Sequence, residues 1–292
     1  MIISNKLESM DSLSKSEEIL AKFILREKEN IESLSTKDLA KATYTSPSTA
    51  VRLSKKLGFS GWNELKEKYL EELHYLNQHF SNIDPNYPFD TNDTFINVAA
   101  KIGHLASESI EDTLSLLKHT ELQKAVELLH KSQHISIYGI SNSLIMAYDF
   151  KHKMLRINKY VDIMNVPEEQ PFVASNSTPQ HVAILISYSG ETEGVLKIAN
   201  ILKRNRTPLI SLTSIGENSL RKLSDCALSI STREKLYSKI ATYSTNNSIH
   251  LILDILYSCL FKMDYDRNLE YKTNVSKNVD ERVSSSTLLK EE

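Results

Sequence analysis

The amino-acid sequence predicts an all-α domain followed by an α/β three-layer sandwich that contains a sheet of five parallel strands. Residues 1–80 carry apolar side chains at helical spacing, with capping residues between the segments. Further along, short apolar runs such as residues 182–186 are separated by segments long enough for helical crossovers. At 292 residues the chain is long enough to build two hydrophobic cores.

Composition narrows the class of protein. The formal net charge is −2, so any basic surface must be local. Cys226 and Cys259 lack metal-binding spacing, and we therefore expect free thiols in a reducing compartment. The sequence shows neither a signal-peptide pattern nor an apolar run of membrane-spanning length. We expect a cytoplasmic protein without membrane contact, metal or cofactor.

Three helices are predicted in the N-terminal domain. Ser14 followed by Glu17 forms a capping-box pattern, and apolar residues then recur at helical spacing to about residue 29. Ser35 is suited to cap a second helix over residues 36–42. Ser46 is suited to cap a third helix, which has Pro47 at its first position and ends at Gly58.

The second and third helices, joined by a tight turn at residues 43–45, form a helix-turn-helix pattern. Ala50, Leu53 and Leu57 make the inward stripe of the third helix, so its polar side chains should point away. Within residues 37–61, five basic residues stand against one acid, a local net charge of +4. A small bundle with a solvated basic face is the alternative interpretation. The predicted DNA-contacting residues are Ser46, Ser48, Thr49, Arg52, Lys55 and Lys56.

Composition and periodicity also predict where the rest of the chain divides. Residues 81–93 hold two prolines, three asparagines and three aspartates, which is typical of a linker. Residues 94–270 contain the α/β domain, and residues 271–292 are a polar tail that we expect to be disordered. The predicted strands of this domain cover residues 135–138, 160–164, 182–186, 208–212 and 227–230, and its last long helix covers residues 236–263.

Two of these strands end in turns of small and hydroxylated residues. Residues 187–192 follow one strand and residues 139–143 follow another, and a helical stripe comes after each turn. A strand, a hydroxyl-rich turn and a helix N-terminus form an anion site, because free backbone N–H groups and the positive end of the helix dipole face the ligand. Both turns should face one crevice and hold a phosphate. Ordinary turns with polar caps are the alternative.

The two turns resemble the signatures of the SIS (sugar isomerase) domain. The matching segments read G-I-S-N-S at residues 139–143 and S-Y-S-G-E-T at residues 187–192. The family usually has Gly where this chain has Ser141. Many members carry Ser-Arg where Thr245 and Asn246 align, so this chain lacks a planar cationic anchor there.

Residues 46–66 resemble the N-terminal domain of the RpiR (MurR/RpiR) family of bacterial transcriptional regulators. They read S-P-S-T-A-V-R-L-S-K-K-L-G-F-S-G-W-N-E-L-K, and the family joins such a domain to an SIS domain in the same order. Tyr44 stands where the family often has Gly. The resemblance implies a DNA-binding regulator of carbohydrate-metabolism genes, which binds double-stranded operator DNA as a homodimer or higher homo-oligomer and senses a sugar phosphate.

The same resemblance implies a phosphosugar site built on the two turns. Four residues would hold the phosphate, and Ser141 with Asn142 could reach the sugar. The phosphate ligands would be Ser143, Ser187, Ser189 and Thr192. The full set of predicted phosphosugar-binding residues is Ser141, Asn142, Ser143, Ser187, Ser189, Gly190 and Thr192.

Two other functions are weighed beside a regulator. An aldose–ketose isomerase on the same fold needs a general base, for which Glu191, Glu234, His181 and His250 are the candidates. No two of them form a recognisable catalytic spacing, so we expect no catalytic residue. A sugar-phosphate-binding adaptor that acts through other proteins would keep the crevice but would not need the basic face of the third helix.

Overall fold

The computed structural model describes residues 3–8, 13–77 and 83–279, and its N-terminal part is helical, as predicted. Ser35 caps its helix, because its Oγ accepts the Asp38 N–H while the Asp38 carboxylate accepts the Ser35 N–H at 2.9 Å. Gly58 follows the third predicted helix with a φ of 95°. The helices are α1 (Ile3–Glu8), α2 (Lys15–Glu27), α3 (Thr36–Thr43), α4 (Pro47–Lys56) and α5 (Trp62–Asn77), and a 3-10 helix spans Lys28–Ser33.

These helices enclose a hydrophobic core of their own. Leu39 of α3 and Leu53 of α4 are completely buried in it. Phe59 and Trp62 pack behind the end of α4, and the indole Nε1 of Trp62 donates to the Leu34 carbonyl at 3.0 Å. One face of α4 is therefore fixed against the bundle, which leaves the opposite face to solvent.

Tyr44 closes the turn between α3 and α4 in a left-handed conformation, with φ 53° and ψ 37°. A residue with a Cβ atom is strained there, whereas Gly is not. The Tyr44 side chain is 98% exposed, so packing does little to offset that strain. This conformation explains why the family that the sequence resembles often has Gly at this position.

Tyr44→Gly should therefore stabilise the N-terminal domain. Removing the left-handed strain should raise the free energy of unfolding by about 0.5–1 kcal/mol. Urea unfolding of the full chain, followed by far-UV circular dichroism, measures the change. Tyr44→Ala is the control, because it removes the ring but keeps the strained Cβ. Equal stability of the two variants would mean that the turn is not strained.

Within the described residues, one sheet of five parallel strands forms the centre of the C-terminal part, as predicted. The strand order is β2-β1-β3-β4-β5, so β1 and β3 lie side by side in the middle of the sheet. Gly139 at the end of β1 pairs with Ile186 at the end of β3. The strands are β1 (His134–Gly139), β2 (Val161–Ile163), β3 (His181–Ile186), β4 (Leu209–Thr213) and β5 (Cys226–Ser229).

Helices cover both faces of this sheet, which gives the predicted three-layer sandwich. One face packs against α7 (His119–Lys131), α8 (Asn142–Leu155) and α12 (Ser244–Met263), and the other packs against α9 (Gln170–Ser175), α10 (Glu193–Arg204) and α11 (Ser219–Leu223). None of the helices in the described ranges is long and apolar enough to cross a membrane. The remaining described helices are α6 (Phe95–Leu116), which precedes α7, and α13 (Tyr265–Val279), which follows α12.

The predicted start of the last long helix was wrong. Residues 236–243 are not helical, and α12 begins at Ser244, where the Glu234 carboxylate accepts the backbone N–H at 2.6 Å. The preceding loop packs on the predicted linker instead. The N–H of Ile240 donates to the Asn86 carbonyl at 2.9 Å, and the N–H of Lys235 donates to the Asn86 Oδ1 at 2.7 Å.

The expectation of a disordered tail was also wrong for residues 271–279, which belong to α13. The buried side chain of Asn268 ties this helix down, since its Nδ2 donates to the Phe261 carbonyl of α12 at 3.1 Å. Residues 280–292 lie outside the described residues. The domain boundaries at residues 80, 93 and 270 stay predictions.

Candidate functional site

The turn at residues 187–192 joins β3 to α10 and folds tightly on itself. The hydroxyls of Ser187 and Thr192 lie 2.9 Å apart, and the N–H of Glu191 donates to the Ser189 Oγ at 3.1 Å. Thr192 is the N-cap residue of α10, but within the described residues its side chain accepts no capping hydrogen bond. The first N–H groups of α10 therefore point toward the turn without a side-chain cap.

Gly190 is the residue that lets this turn close. Its φ is 66°, and a Cβ atom built on it would lie 2.1 Å from the Asn218 Oδ1 and 2.8 Å from the Thr213 Oγ1. Both neighbours are buried and bonded to each other, since the Asn218 Nδ2 donates to the Thr213 Oγ1 at 3.2 Å. No side chain fits at this position without moving buried polar groups.

The turn at residues 139–143, the first turn along the chain, lies beside the second turn at residues 187–192. It starts at Gly139, which pairs with Ile186, and the Ile140 side chain reaches within 3.7 Å of a Cβ built on Gly194 in the first turn of α10. Ser141 has φ 54° and ψ −124°, a conformation that Gly favours, which agrees with the Gly usual at this position in the SIS family. The N-termini of α8 and α10 thus approach the same edge of the sheet.

A buried charge cluster lies at the N-terminus of α12, and the sequence pattern does not predict it. The Glu234 carboxylate accepts from the Ser244 N–H, from the Thr245 Oγ1 at 2.8 Å and from the Lys239 Nζ at 3.1 Å. The Tyr188 hydroxyl, in the second turn, donates to the Glu234 carbonyl at 2.6 Å. Burial raises the pKa of Tyr188 above its usual range, so this residue acts as a neutral hydrogen-bonding group.

The helix N-terminus at α12 is thereby occupied by a side-chain anion. Asn246, where many SIS domains carry Arg, faces the first turn, because the Asn142 Nδ2 donates to its Oδ1 at 2.9 Å. The amide pair links α8 to α12. At α8 and α10 the N-cap residues, Ser141 and Thr192, make no side-chain cap bond within the described residues, so these two N-termini could accept an external anion.

The four candidate bases for an isomerase have structural partners. Glu191 precedes α10, and its carboxylate accepts the Ser219 N–H of α11 at 2.9 Å. Glu234 caps α12, as described above. His181 stacks on His134 at 4.9 Å, at the edge of the sheet where β1 and β3 begin, opposite the two turns.

His250, the fourth candidate base, belongs to an exposed cluster that joins α8 to α12. Its Nε2 lies 3.0 Å from the Asp149 Oδ2, and the ligand atoms of Asp149, His250 and Asp254 all lie within 4.8 Å of one another. Such a trio could hold a metal ion. The Lys153 ammonium, however, is 2.6 Å from Asp149 and also contacts Asp254. A side-chain cation of the protein thus already bridges these carboxylates.

The outer face of α4 presents most of the predicted DNA-contacting residues. Ser46, Ser48 and Lys55 are exposed, and so is the Arg52 side chain. The assignment of Thr49 to this face was wrong, because Thr49 is only 1% exposed. Its hydroxyl lies 3.0 Å from the Ser46 Oγ, so it supports the start of α4 from the inner side.

Two cationic side chains of α4 contact a carboxylate of α2. The Lys56 Nζ lies 3.0 Å from the Glu17 Oε2, and the Arg52 Nε lies 3.9 Å from the Glu17 Oε1. The Ser14 N–H also donates to Glu17 at 2.8 Å, as the predicted capping box requires. That hydrogen bond lowers the pKa of Glu17 against the opposing effect of burial, and Lys56 lowers it further.

A helix-turn-helix domain followed by a SIS-type sandwich defines a class of two-domain transcriptional regulators, and comparison with known proteins identifies the family. The model of the rpiR-family helix-turn-helix domain matches residues 1–74, and the SIS-domain model matches residues 128–258. An HTH-type transcriptional regulator of Caldanaerobacter subterraneus subsp. tengcongensis is 30% identical over 269 residues, which cover 92% of this chain and 93% of that protein. The chain belongs to the rpiR family of HTH-type transcriptional regulators.

Other relatives agree with this assignment. YbbH of Bacillus subtilis, also an HTH-type transcriptional regulator, is 26% identical, with 89% of this chain and 90% of YbbH covered. Among solved structures, the NanR protein of Vibrio vulnificus, complexed with ManNAc-6P, has a TM-score of 0.62 and 23% identity and covers 96% of this chain and 99% of its own. The likeness to NanR establishes the fold. The family assignment shows that this protein is a transcriptional regulator.

Proposed function

We propose that this regulator binds operator DNA through α4 and senses a sugar phosphate at the two turns that follow β1 and β3. The observation that carries the proposal is the meeting of two hydroxyl-rich turns and two helix N-termini at one edge of the sheet. Backbone N–H groups and the helix dipole favour a phosphate there. NanR, a structural neighbour, was solved with ManNAc-6P, which supports a phosphosugar as the ligand class.

Both turns contribute residues to the ligand site in this proposal. The phosphate lies against the hydroxyls of the second turn and against Ser143, while Ser141 and Asn142 reach the sugar. Gly190 lets the backbone of the turn come close to the ligand. The hydroxyls of the second turn that take part are Ser187, Ser189 and Thr192.

Signal transfer requires the ligand to bind one arrangement of the protein better than another. We propose a homodimer in which two α4 helices read paired half-sites, and in which ligand binding changes the distance between them. The DNA contacts assigned to α4 are Ser46, Ser48, Arg52, Lys55 and Lys56. We further propose that the protein is cytoplasmic. We also propose that it is not an enzyme, because the four candidate bases already serve as helix caps, ring-stacking partners or ion-pair partners.

Arg52→Ala tests the DNA-binding half of the proposal. Loss of one guanidinium contact should weaken binding to the DNA upstream of the protein's own gene roughly tenfold. Fluorescence anisotropy at fixed salt measures the dissociation constant. Arg26→Ala, which removes an exposed cation of α2 instead, should change affinity less than about twofold. Equal losses in both variants would exclude α4 as the reading helix, and absence of binding in the wild type would favour an adaptor.

A further inference from the structure

Two cationic side chains of the reading helix α4 form ion pairs with a carboxylate of another helix. Arg52 and Lys56 are four residues apart, so they lie on one side of α4, and both side chains approach Glu17 of α2. The Arg52 and Lys56 side chains remain 61% and 38% exposed, whereas the Glu17 side chain is only 7% exposed. The negative charge is therefore fixed inside the domain, and the positive charges extend from it to the surface.

Glu17 is held in place independently of these cations. Its carboxylate accepts the Ser14 N–H at 2.8 Å, which anchors it at the N-terminus of α2. Hydrogen bonding from Ser14 outweighs burial and leaves the pKa of Glu17 below its ordinary value, so the carboxyl stays ionised at neutral pH despite its burial. A buried, anchored and charged acid cannot follow a side chain that moves out to a phosphate. Lys56 and Arg52 must therefore share their charge between Glu17 and any DNA that approaches.

We infer that Glu17 is a positioning residue that restrains Arg52 and Lys56 and so favours the operator over other DNA; the inference rests on the proposed DNA-binding function. Attraction to the phosphate backbone is independent of sequence and grows with each cation that neutralises a phosphate. A cation bound to Glu17 contributes less to that attraction. The same contact limits the directions in which the Arg52 guanidinium can point, which sharpens any contact with a base edge.

Glu17→Gln separates this role from the capping role of the residue. Gln is also an acceptor in a capping box, so the hydrogen bond from Ser14 is retained while the charge is removed. Binding to a mixed-sequence duplex should become roughly fivefold tighter at physiological salt, and the slope of log K against log [salt] should steepen by up to about one unit. The ratio between operator and mixed-sequence affinity should fall roughly tenfold.

Glu18→Gln is the matched control, because it removes the same charge from the neighbouring residue of α2, whereas the ion pairs between α2 and α4 in the described residues involve Glu17. It should leave the salt slope and the affinity ratio within about twofold of the wild type. In a Lys56→Met background, Glu17→Gln should no longer steepen the slope by the same amount, since one released cation is already missing. That non-additivity is a readout that a merely structural role would not produce.

The outcomes separate the two levels of the proposal. A wild type that prefers its operator, together with Glu17→Gln behaving like Glu18→Gln, overturns the role of Glu17 and leaves DNA binding intact. A wild type that does not distinguish its operator from mixed-sequence DNA overturns the proposed function, and this inference falls with it. A lower affinity ratio and a steeper salt slope in Glu17→Gln alone establish the restraint.

Discussion

Gly190→Ala is expected to destabilise the C-terminal domain strongly and to remove its response to ligand. The new Cβ would lie 2.1 Å from the Asn218 Oδ1, which already caps α11 by accepting the Arg221 N–H at 2.9 Å. Relief of the clash must break that cap or move Thr213, and the positive φ adds strain of its own. Together these effects should lower the free energy of unfolding by about 3 kcal/mol, or roughly 10 °C in melting temperature.

Gly194→Ala is the matched control in the same motif. Gly194 lies in the first turn of α10, and the nearest atom to its built Cβ is the Ile140 Cδ1 at 3.7 Å, an ordinary van der Waals distance. Its melting temperature should stay within about 2 °C of the wild type, because alanine favours a helix and its Cβ atom makes no contact shorter than an ordinary van der Waals distance. Differential scanning fluorimetry measures both variants. Similar melting temperatures in both would show that the turn can relax around a side chain at residue 190.

Ser189→Ala combined with Thr192→Ala should abolish stabilisation by sugar phosphates. A ligand at about one hundred times its dissociation constant stabilises the folded state by about 2.7 kcal/mol, which corresponds to roughly 5–10 °C here. Both hydroxyls lie on the turn beside the uncapped N-terminus of α10. Their loss removes two of the proposed phosphate donors, and we expect the fold to be kept. Thermal-shift measurements with hexose, pentose, amino-sugar and N-acetylated sugar phosphates provide the comparison.

A second pair of hydroxyls controls for the substitution itself. Ser175→Ala combined with Thr178→Ala removes two exposed hydroxyls that precede β3, at the opposite edge of the sheet from the turns. This variant should keep the full ligand-induced shift. If the shift survives in the Ser189 and Thr192 variant, or disappears in both variants, the phosphate does not lie at the second turn.

Local chemistry made much of the fold predictable from the sequence. The capping pairs Ser14 with Glu17 and Ser35 with Asp38 define two helix starts, because each side-chain bond spans three residues. The strand at residues 182–186 is an uninterrupted apolar run, which matches its burial on both faces of the sheet. The proximity of the two turns follows from the parallel pairing of β1 with β3.

Contacts between distant residues account for what the sequence did not reveal. Glu234 accepts the N–H of Ser244, where α12 begins, and forms an ion pair with Lys239. Nothing in the spacing of these residues predicts a buried ion pair. Thr49 was assigned to the outer face of α4 as a polar residue, but it lies four residues before the buried Leu53 and shares the inner side of the helix with it. Glu17 satisfied its local cap, and its second contact with α4 depends on how the helices pack.

The coupling between the two proposed sites is tested most directly by operator affinity measured with and without ligand. Fluorescence anisotropy on the full chain, at fixed salt, uses the sugar phosphate that gives the largest thermal shift. We expect a change of at least roughly fivefold in the operator dissociation constant for the wild type, and none for Ser189→Ala with Thr192→Ala. A sugar phosphate that stabilises the wild type but leaves its operator affinity unchanged would contradict the proposed sensing function.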